Sequence, residues 1–303
     1  MNRLSKPQIL SVLSLVLTTI IWGGGFVITK NAVGRITPVY LMAVRFTVAG
    51  AGLFLIFFNK IKTIKKTDVL PGAALGFWLA VSFITQTYGI KFTTASNNAF
   101  ITTFYVVAVP FLNLLLNRVK IKGAHMIAAL TSLAGVALLS VDETFRVNSG
   151  DALTFVCSVC YAVHIVYLGR YTEKHDAIIL SALQMLAAAA FCWICAPLLE
   201  GRYDYANLFG ADGMRLLLEV LYLALLSTML GFLFQTSAQK KLPTVLVSVL
   251  LTLECVFGSV FSIIFLGDPM NLKIVSGFAL MLAAVVFSIF SDKKNNDEKY
   301  ENG

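Results

Sequence analysis

The stretch Thr244–Leu266, TVLVSVLLTLECVFGSVFSIIFL, is apolar along its whole length except for one carboxylate, Glu254, near its centre. A bilayer-spanning helix needs about 20 such residues. An acid at mid-span costs roughly 2.5–3.5 kcal/mol on insertion scales, so it turns toward protein interior or water. Glu254 therefore reads as the mark of a polar pathway across the membrane. The competing reading is a carboxyl that carries a proton or bonds a neighbouring helix and takes no part in transport.

The rest of the chain agrees with a membrane location. Of 303 residues, 58% are hydrophobic and 13% charged, with mean hydropathy +0.80. Soluble domains run at about 45–50% apolar and about 25% charged. The net charge of +8 does not point to nucleic acid, because the basic residues sit in short loops between apolar runs. The first apolar run, Ile9 to Ile28, is too long for a signal-peptide core and reads as the first span. Cys157/Cys160 and Cys192/Cys195 have CxxC spacing, but both pairs fall inside apolar segments. Small buried thiols account for them better than a metal, and no cofactor is expected.

Ten segments are long enough to span: 8–29, 37–58, 69–90, 95–117, 123–141, 150–169, 177–198, 215–238, 244–266 and 272–290. The longest connection, Glu200 to Met214, is rich in turn formers (Asp204, Asn207, Gly210). Residues 292–303 read as a disordered polar tail. Sixteen Lys and Arg fall on the side holding both termini (side A) and seven on the other (side B), and Arg45, within the second span, makes up the total of 24. The positive-inside rule then places side A in the cytoplasm of a plasma (inner) membrane protein.

An internal repeat divides the chain. Phe83-Ile84-Thr85-Gln86-Thr87 matches Phe232-Leu233-Phe234-Gln235-Thr236, and 235 − 86 = 149. The offset holds without a gap to the end of the last span, pairing Thr103 with Thr252 and Tyr105 with Glu254. The units are 1–148 and 149–291, with five spans each. Five is odd, so the second copy enters the membrane in the opposite sense. Loop charges agree: cytoplasmic Arg118, Lys120 and Lys122 become Gly267, Pro269 and Asn271 in the second copy. The predicted fold is an all-α membrane protein of ten helices in two inverted five-helix repeats. That arrangement characterises secondary transporters, with substrate held near the midplane.

Trp22-Gly23-Gly24-Gly25-Phe26, Pro38 with Arg45-Phe46, Tyr88 to Ser96 (YGIKFTTAS), Pro110 and Gly150-Asp151 occur in this order. Together they resemble the EamA-type members of the drug/metabolite transporter superfamily over nearly the whole chain. The resemblance implies a ten-helix carrier of small metabolites, often an exporter. Two positions depart from the pattern. Glu254 is followed by Cys255 rather than proline, so a kink in the ninth span is not expected from the pattern. Asn117-Arg118 lacks the Gly-Glu that the family carries after that helix, and Gly267-Asp268 replaces it in the second half.

Polar and aromatic groups inside spans are the substrate-binding candidates: Trp22, Gln86, Asn97, Tyr105, Tyr161, His164, Gln235 and Glu254. Glu254 is also the candidate proton-coupling group. Gln86 and Gln235 could equally be interhelical hydrogen-bond partners. Tyr105, as repeat mate of Glu254, should look into the same central volume. His164 could relay a proton or serve as a structural donor. Asn98 reads as a cap or interfacial residue. Lys30 and Arg35 read as outer residues that snorkel, and Arg45 as paired with a carbonyl or an acid. Gly72-x3-Gly76 reads as a packing face.

The function expected is secondary active transport, in the export direction, of small metabolites such as amino acids, by alternating access and with protons as the coupling ion. A lipid or lipid-linked carrier is the alternative within the same fold. The sequence has no G-x4-G-K-[ST], G-x-S-x-G or H-E-x-x-H, which argues against ATP use and against a membrane-embedded enzyme. The expected partners are a small-molecule substrate and the lipid bilayer.

Overall fold

The computed structural model describes residues 5–140, 148–202, 213–266 and 272–301, with no strand among them. The helices are α1 (Lys6–Ala32), α2 (Pro38–Ile56), the single turn α3 (Phe58–Ile61), α4 (Lys66–Phe92), α5 (Ala95–Thr102), α6 (Tyr105–Asn117) and α7 (Gly123–Ser140). There follow α8 (Ser149–Thr172), α9 (Ala177–Glu200), α10 (Gly213–Leu221), α11 (Gly231–Gln239), α12 (Thr244–Leu251), α13 (Leu253–Leu266) and α14 (Leu272–Glu301). A π-helical stretch, Tyr222–Leu230, joins α10 to α11. The fourth span is α5 with α6, the eighth α10 through α11, and the ninth α12 with α13. Among the described residues eight helical stretches are long and apolar enough to cross a membrane, and two shorter ones, Gly123–Leu138 and Val275–Ser291, complete ten.

Local signals fix the helix starts. Ser5 and Gln8 form a capping box on α1, with the Ser5 amide donating to Gln8 Oε1 at 3.0 Å. Pro38 stands at the first position of α2. There the Glu200 carboxylate, from the far end of α9, accepts from the Val39 and Tyr40 amides at 3.0 and 3.3 Å. Asp176 caps α9, and Gly201, at φ 69°, ends it. Gly150-Asp151 has a double use. The bare Gly150 backbone lies against Gly89 of α4, while Asp151 completes a capping box with Asn148 and accepts the Thr93 hydroxyl at 2.7 Å.

Packing respects an exchange of the two halves. The third span packs on the sixth, as the first does on the eighth; the first packs on the ninth, as the sixth does on the fourth. The third also packs on the seventh, as the eighth does on the second. The second packs on the seventh and the fifth on the tenth, each pair its own image. Gly72 and Gly76 let α4 close on α9, where a side chain would run into Leu183 and Ala187. Leu10, Leu55, Leu70, Leu115 and Leu198 point outward, as lipid-facing residues should.

Four expectations change. The region beyond residue 291 continues α14 as helix to Glu301 rather than forming a separate tail; no Gly or Pro interrupts the chain between Gly277 and Gly303. The ninth span is interrupted without a proline. Lys30 does not snorkel: its ammonium caps the end of α4, donating to the Ile90 and Thr93 carbonyls at 2.7 Å each. Arg35 pairs with Glu219 at 2.6 Å. The turn formers Asp204, Asn207 and Gly210 and the pair Gly267-Asp268 lie outside the described residues.

Candidate functional site

The site is organised by two broken helices. The fourth span breaks at Thr103 and Phe104, between α5 and α6; the ninth breaks at Thr252, between α12 and α13. Thr103 and Thr252 are the repeat mates identified from the sequence. Each threonine turns its hydroxyl back on the helix: Thr103 Oγ1 donates to the Ala99 carbonyl and Thr252 Oγ1 to the Val249 carbonyl, both at 2.7 Å. Such back-bonding competes with the backbone ladder and bends helices. The breaks face each other, with Thr103 Oγ1 at 2.8 Å from Cys255 Sγ. The consequence is that Glu254 stands in the first turn of α13 and Tyr105 begins α6. Helix N-termini favour negative charge. The Tyr105 hydroxyl donates to Glu254 Oε1 at 3.2 Å.

Glu254, 3% exposed, borders a cavity lined from both halves of the chain. Trp22, Phe26, Phe83 and Tyr161 give it aromatic walls, and Arg45, Ser82, Gln86, Asn98, Thr102 and Ser227 give it polar ones. The lining climbs from Glu254, Trp22 and Tyr161 near mid-span to Thr29, Ile90 and Asn98, close to the side B ends of α1, α4 and α5.

Arg45 on α2 is 4% exposed. Its Nη2 donates to Ser227 Oγ at 2.8 Å and its Nε to Thr228 Oγ1. Its guanidinium carbon lies 4.7 Å from the centroid of the Phe83 ring. The expected carbonyl or acidic partner is therefore replaced by two hydroxyls and a ring. The π-helical stretch explains the hydroxyls. Its wider turn sends the Thr228 hydroxyl to the Leu223 carbonyl five residues back at 2.8 Å, and leaves the Ser227 carbonyl free to accept from Trp22 Nε1 at 2.7 Å. π-Helical segments inside α-helices recur at functional sites.

Between the cavity and side A lies a sealed polar network. Tyr161 donates to Gln235 Oε1 at 3.2 Å, Gln235 to Gln239 at 3.2 Å, and Gln239 to the Ile165 carbonyl at 2.8 Å. His164 Nε2 meets Gln184 Oε1 at 2.9 Å, and Gln184 reaches Thr236 at 3.3 Å. Phe232 fills the space between, edge-on to both Tyr161 and His164.

The sequence-predicted residues thus divide. Trp22, Gln86, Tyr161 and Glu254 line the cavity. Tyr105 supports Glu254 from behind, fully buried. His164 and Gln235 sit in the network below. Asn97 has no described side chain. Its neighbour Asn98 is no cap: α5 starts at Ala95, which carries Asn98 into the first turn, where its amide donates to the Gln86 carbonyl at 3.1 Å and Thr154 Oγ1 at 2.8 Å. Arg45 is not among the site residues expected from the sequence, although it lies deep inside an expected span, away from the span ends where Arg215 and Lys273 sit, a strong signal for a site residue. Ser227 and Thr102 carried no such signal. No cluster of three or more His, Cys, Asp or Glu side chains suited to a metal occurs among the described residues.

The EamA-like transporter family model matches residues 9–141 and again residues 148–290. The chain belongs to this family. The two matches of this EamA-like transporter end 290 − 141 = 149 residues apart, the offset of its internal repeat. An uncharacterized transporter of Archaeoglobus fulgidus is 26% identical over 278 residues, covering 91% of this chain and 85% of its own. The uncharacterized transporter YetK of Bacillus subtilis is 24% identical over 302 residues, covering 96% and 90%. A crystal structure superposes with a TM-score of 0.76 at 16% identity, over 94% of this chain and 98% of that one. The EamA-like transporter thus shares its ten-helix fold with a solved protein of distant sequence.

Proposed function

We propose that this transporter is a secondary active exporter of small metabolites, amino acids among them, working by alternating access in the plasma (inner) membrane with both termini in the cytoplasm. The observation that carries this reading is the cavity itself. It is walled by both halves, floored by a buried acid at the junction of two broken helices and, among the described residues, backed toward side A by the network of Tyr161, Gln235 and Gln239. In the opposite state the units 1–148 and 149–291 rock against each other about the Thr103–Cys255 crossing. The network of Tyr161, Gln235, Gln239, His164 and Gln184 then separates to admit solute from the cytoplasm.

Glu254 is the coupling group in this reading. Tyr105 bonds it; Tyr161, Cys157 and Arg45 line the same cavity. The carboxylate takes a proton from the acidic outer side and gives it up to the cytoplasm, where solute replaces it. In proteoliposomes loaded with labelled neutral amino acids, an inward proton gradient should drive efflux. Glu254→Gln should lose the gradient-driven part, about tenfold or more, while solute-for-solute exchange persists. Efflux by Glu254→Gln that still follows the gradient removes the coupling role.

A further inference from the structure

A separate pocket opens at the side A end of the molecule, away from the central cavity. Its volume is about 110 Å³, more than the roughly 30 Å³ share of a single water. Both repeats line it: Asn113, Lys120, Lys122 and His125 come from the first, Pro243 and Thr244 from the second. Arg118 ends α6 in the left-handed conformation, at φ 56°, and the Val119 amide donates back to the Asn113 carbonyl at 3.4 Å. That turn brings Lys120 and Lys122 to the same pocket as Asn113. Two helices begin here, α7 at Gly123 and α12 at Thr244, and the first amides of a helix have no partner inside it. Among the described residues that line the pocket none is acidic, and neither lysine joins an ion pair with a described residue. Asn113 is 8% exposed. Its Oδ1 accepts from Asn117 at 2.8 Å, while its Nδ2 donates to no described residue. A buried donor without an acceptor is costly, and this one lines the pocket.

We infer that this pocket binds a phosphate group. Its oxygens accept from Asn113 Nδ2, from the ammonium groups of Lys120 and Lys122, and from the first-turn amides of the two helices. The surroundings suit the headgroup of an anionic phospholipid. Phe111, Leu115 and Val119 beside the pocket are exposed, so acyl chains lie against them while the phosphate enters from the membrane edge. Basic pockets at that depth recognise anionic headgroups. A free phosphate meets the same donors without the acyl contact. Because the lining comes from both repeats, the bound group bridges the end of the fourth span and the start of the ninth. The inference stands apart from whatever solute the central cavity carries.

The test is native mass spectrometry of the full-length protein in detergent, titrated with phosphatidylglycerol or with phosphatidylcholine. Phosphatidylglycerol should bind about tenfold more tightly than phosphatidylcholine, and the double variant Lys120→Gln/Lys122→Gln should lose roughly tenfold or more of that affinity. Asn113→Leu should weaken binding severalfold with both lysines in place. The lysine pair, being on the surface, keeps the test open where Asn113→Leu does not fold. Lys65→Gln/Lys66→Gln removes the same charge from another side A loop and should leave the affinity within about twofold. Inorganic phosphate separates the two sources. A thermal midpoint that phosphate raises in the wild type, but not in the Lys120→Gln/Lys122→Gln protein, names the free anion as a ligand; phosphate without effect leaves the lipid headgroup. Binding of neither phosphatidylglycerol nor phosphate overturns the inference. So do equal affinity for the two lipids with no effect of phosphate, equal losses in the two lysine pairs, or full affinity in the Lys120→Gln/Lys122→Gln protein.

Discussion

Gln86 and Gln235 are repeat mates, yet the molecule treats them differently. Gln86 lines the cavity and donates one bond, to Thr102 at 3.2 Å. Gln235 is 0% exposed and joined to Tyr161 and Gln239. The same contrast holds between the ends of the bundle: the third span has space beside it toward side B, while the eighth is packed tight toward side A. In the alternating-access reading proposed above, this asymmetry is one state of a carrier whose other state exchanges the roles, and the difference between the mates belongs to that state rather than to the sequence.

A departure from symmetry lies at Tyr105 and Glu254, where one half supplies a phenol and the other a carboxyl. Removing the charge should therefore do much more than removing the hydroxyl. Beside the loss expected for Glu254→Gln, Tyr105→Phe should lower gradient-driven efflux only severalfold and leave its dependence on the gradient intact, since a neutral hydrogen bond contributes about 1 kcal/mol. Equal loss in the two variants, measured in the same proteoliposome assay, would break the assignment of coupling to Glu254 alone.

Next in size is the seal. Gln235→Leu removes a link between Tyr161 and Gln239 and should shift the population toward the state open to side A. Gln86→Leu should leave that population unchanged and weaken solute binding slightly. Hydrogen exchange of α11 amides reads the difference, with faster exchange expected in Gln235→Leu only. The smallest effect is at the breaks. Thr103→Val and Thr252→Val each delete one interhelical hydroxyl at a break and should each cost about 0.6 kcal/mol, the average measured for interhelical hydrogen bonds in membranes. Similar losses in thermal unfolding are expected because Thr103 bonds Cys255 across the crossing and Thr252 bonds Ser132 at 2.7 Å. A large loss in one and none in the other would mean that the breaks are not equivalent.

The backbone plan was legible because hydrophobic length and loop charge are strong signals in a bilayer. Residues 177–198, expected to span, lie within α9, Ala177–Glu200. The 149-residue offset already paired Thr103 with Thr252, but without a proline nothing in the sequence marked them as breaks. Back-bonding by threonine depends on a rotamer, which composition does not reveal. The site was half legible. Glu254 stood out because it interrupts an apolar run, and by the same criterion Arg45 should have joined it. Ser227 resisted prediction: its role follows from a π-helical turn that presents its hydroxyl to Arg45 and its carbonyl to Trp22. His164 and Gln235 were visible as polar residues in spans, but sequence alone does not distinguish a cavity wall from the seal beneath it.

The exchange of roles between the halves is most directly tested by access to the two glutamine positions. In a chain whose five cysteines are replaced, Gln86→Cys and Gln235→Cys are exposed in turn to a membrane-impermeant thiol reagent on each face. The account predicts that position 86 reacts only from side B and position 235 only from side A, and that conditions which raise one rate lower the other. Reaction of both from the same face, or rates that rise together, would contradict it.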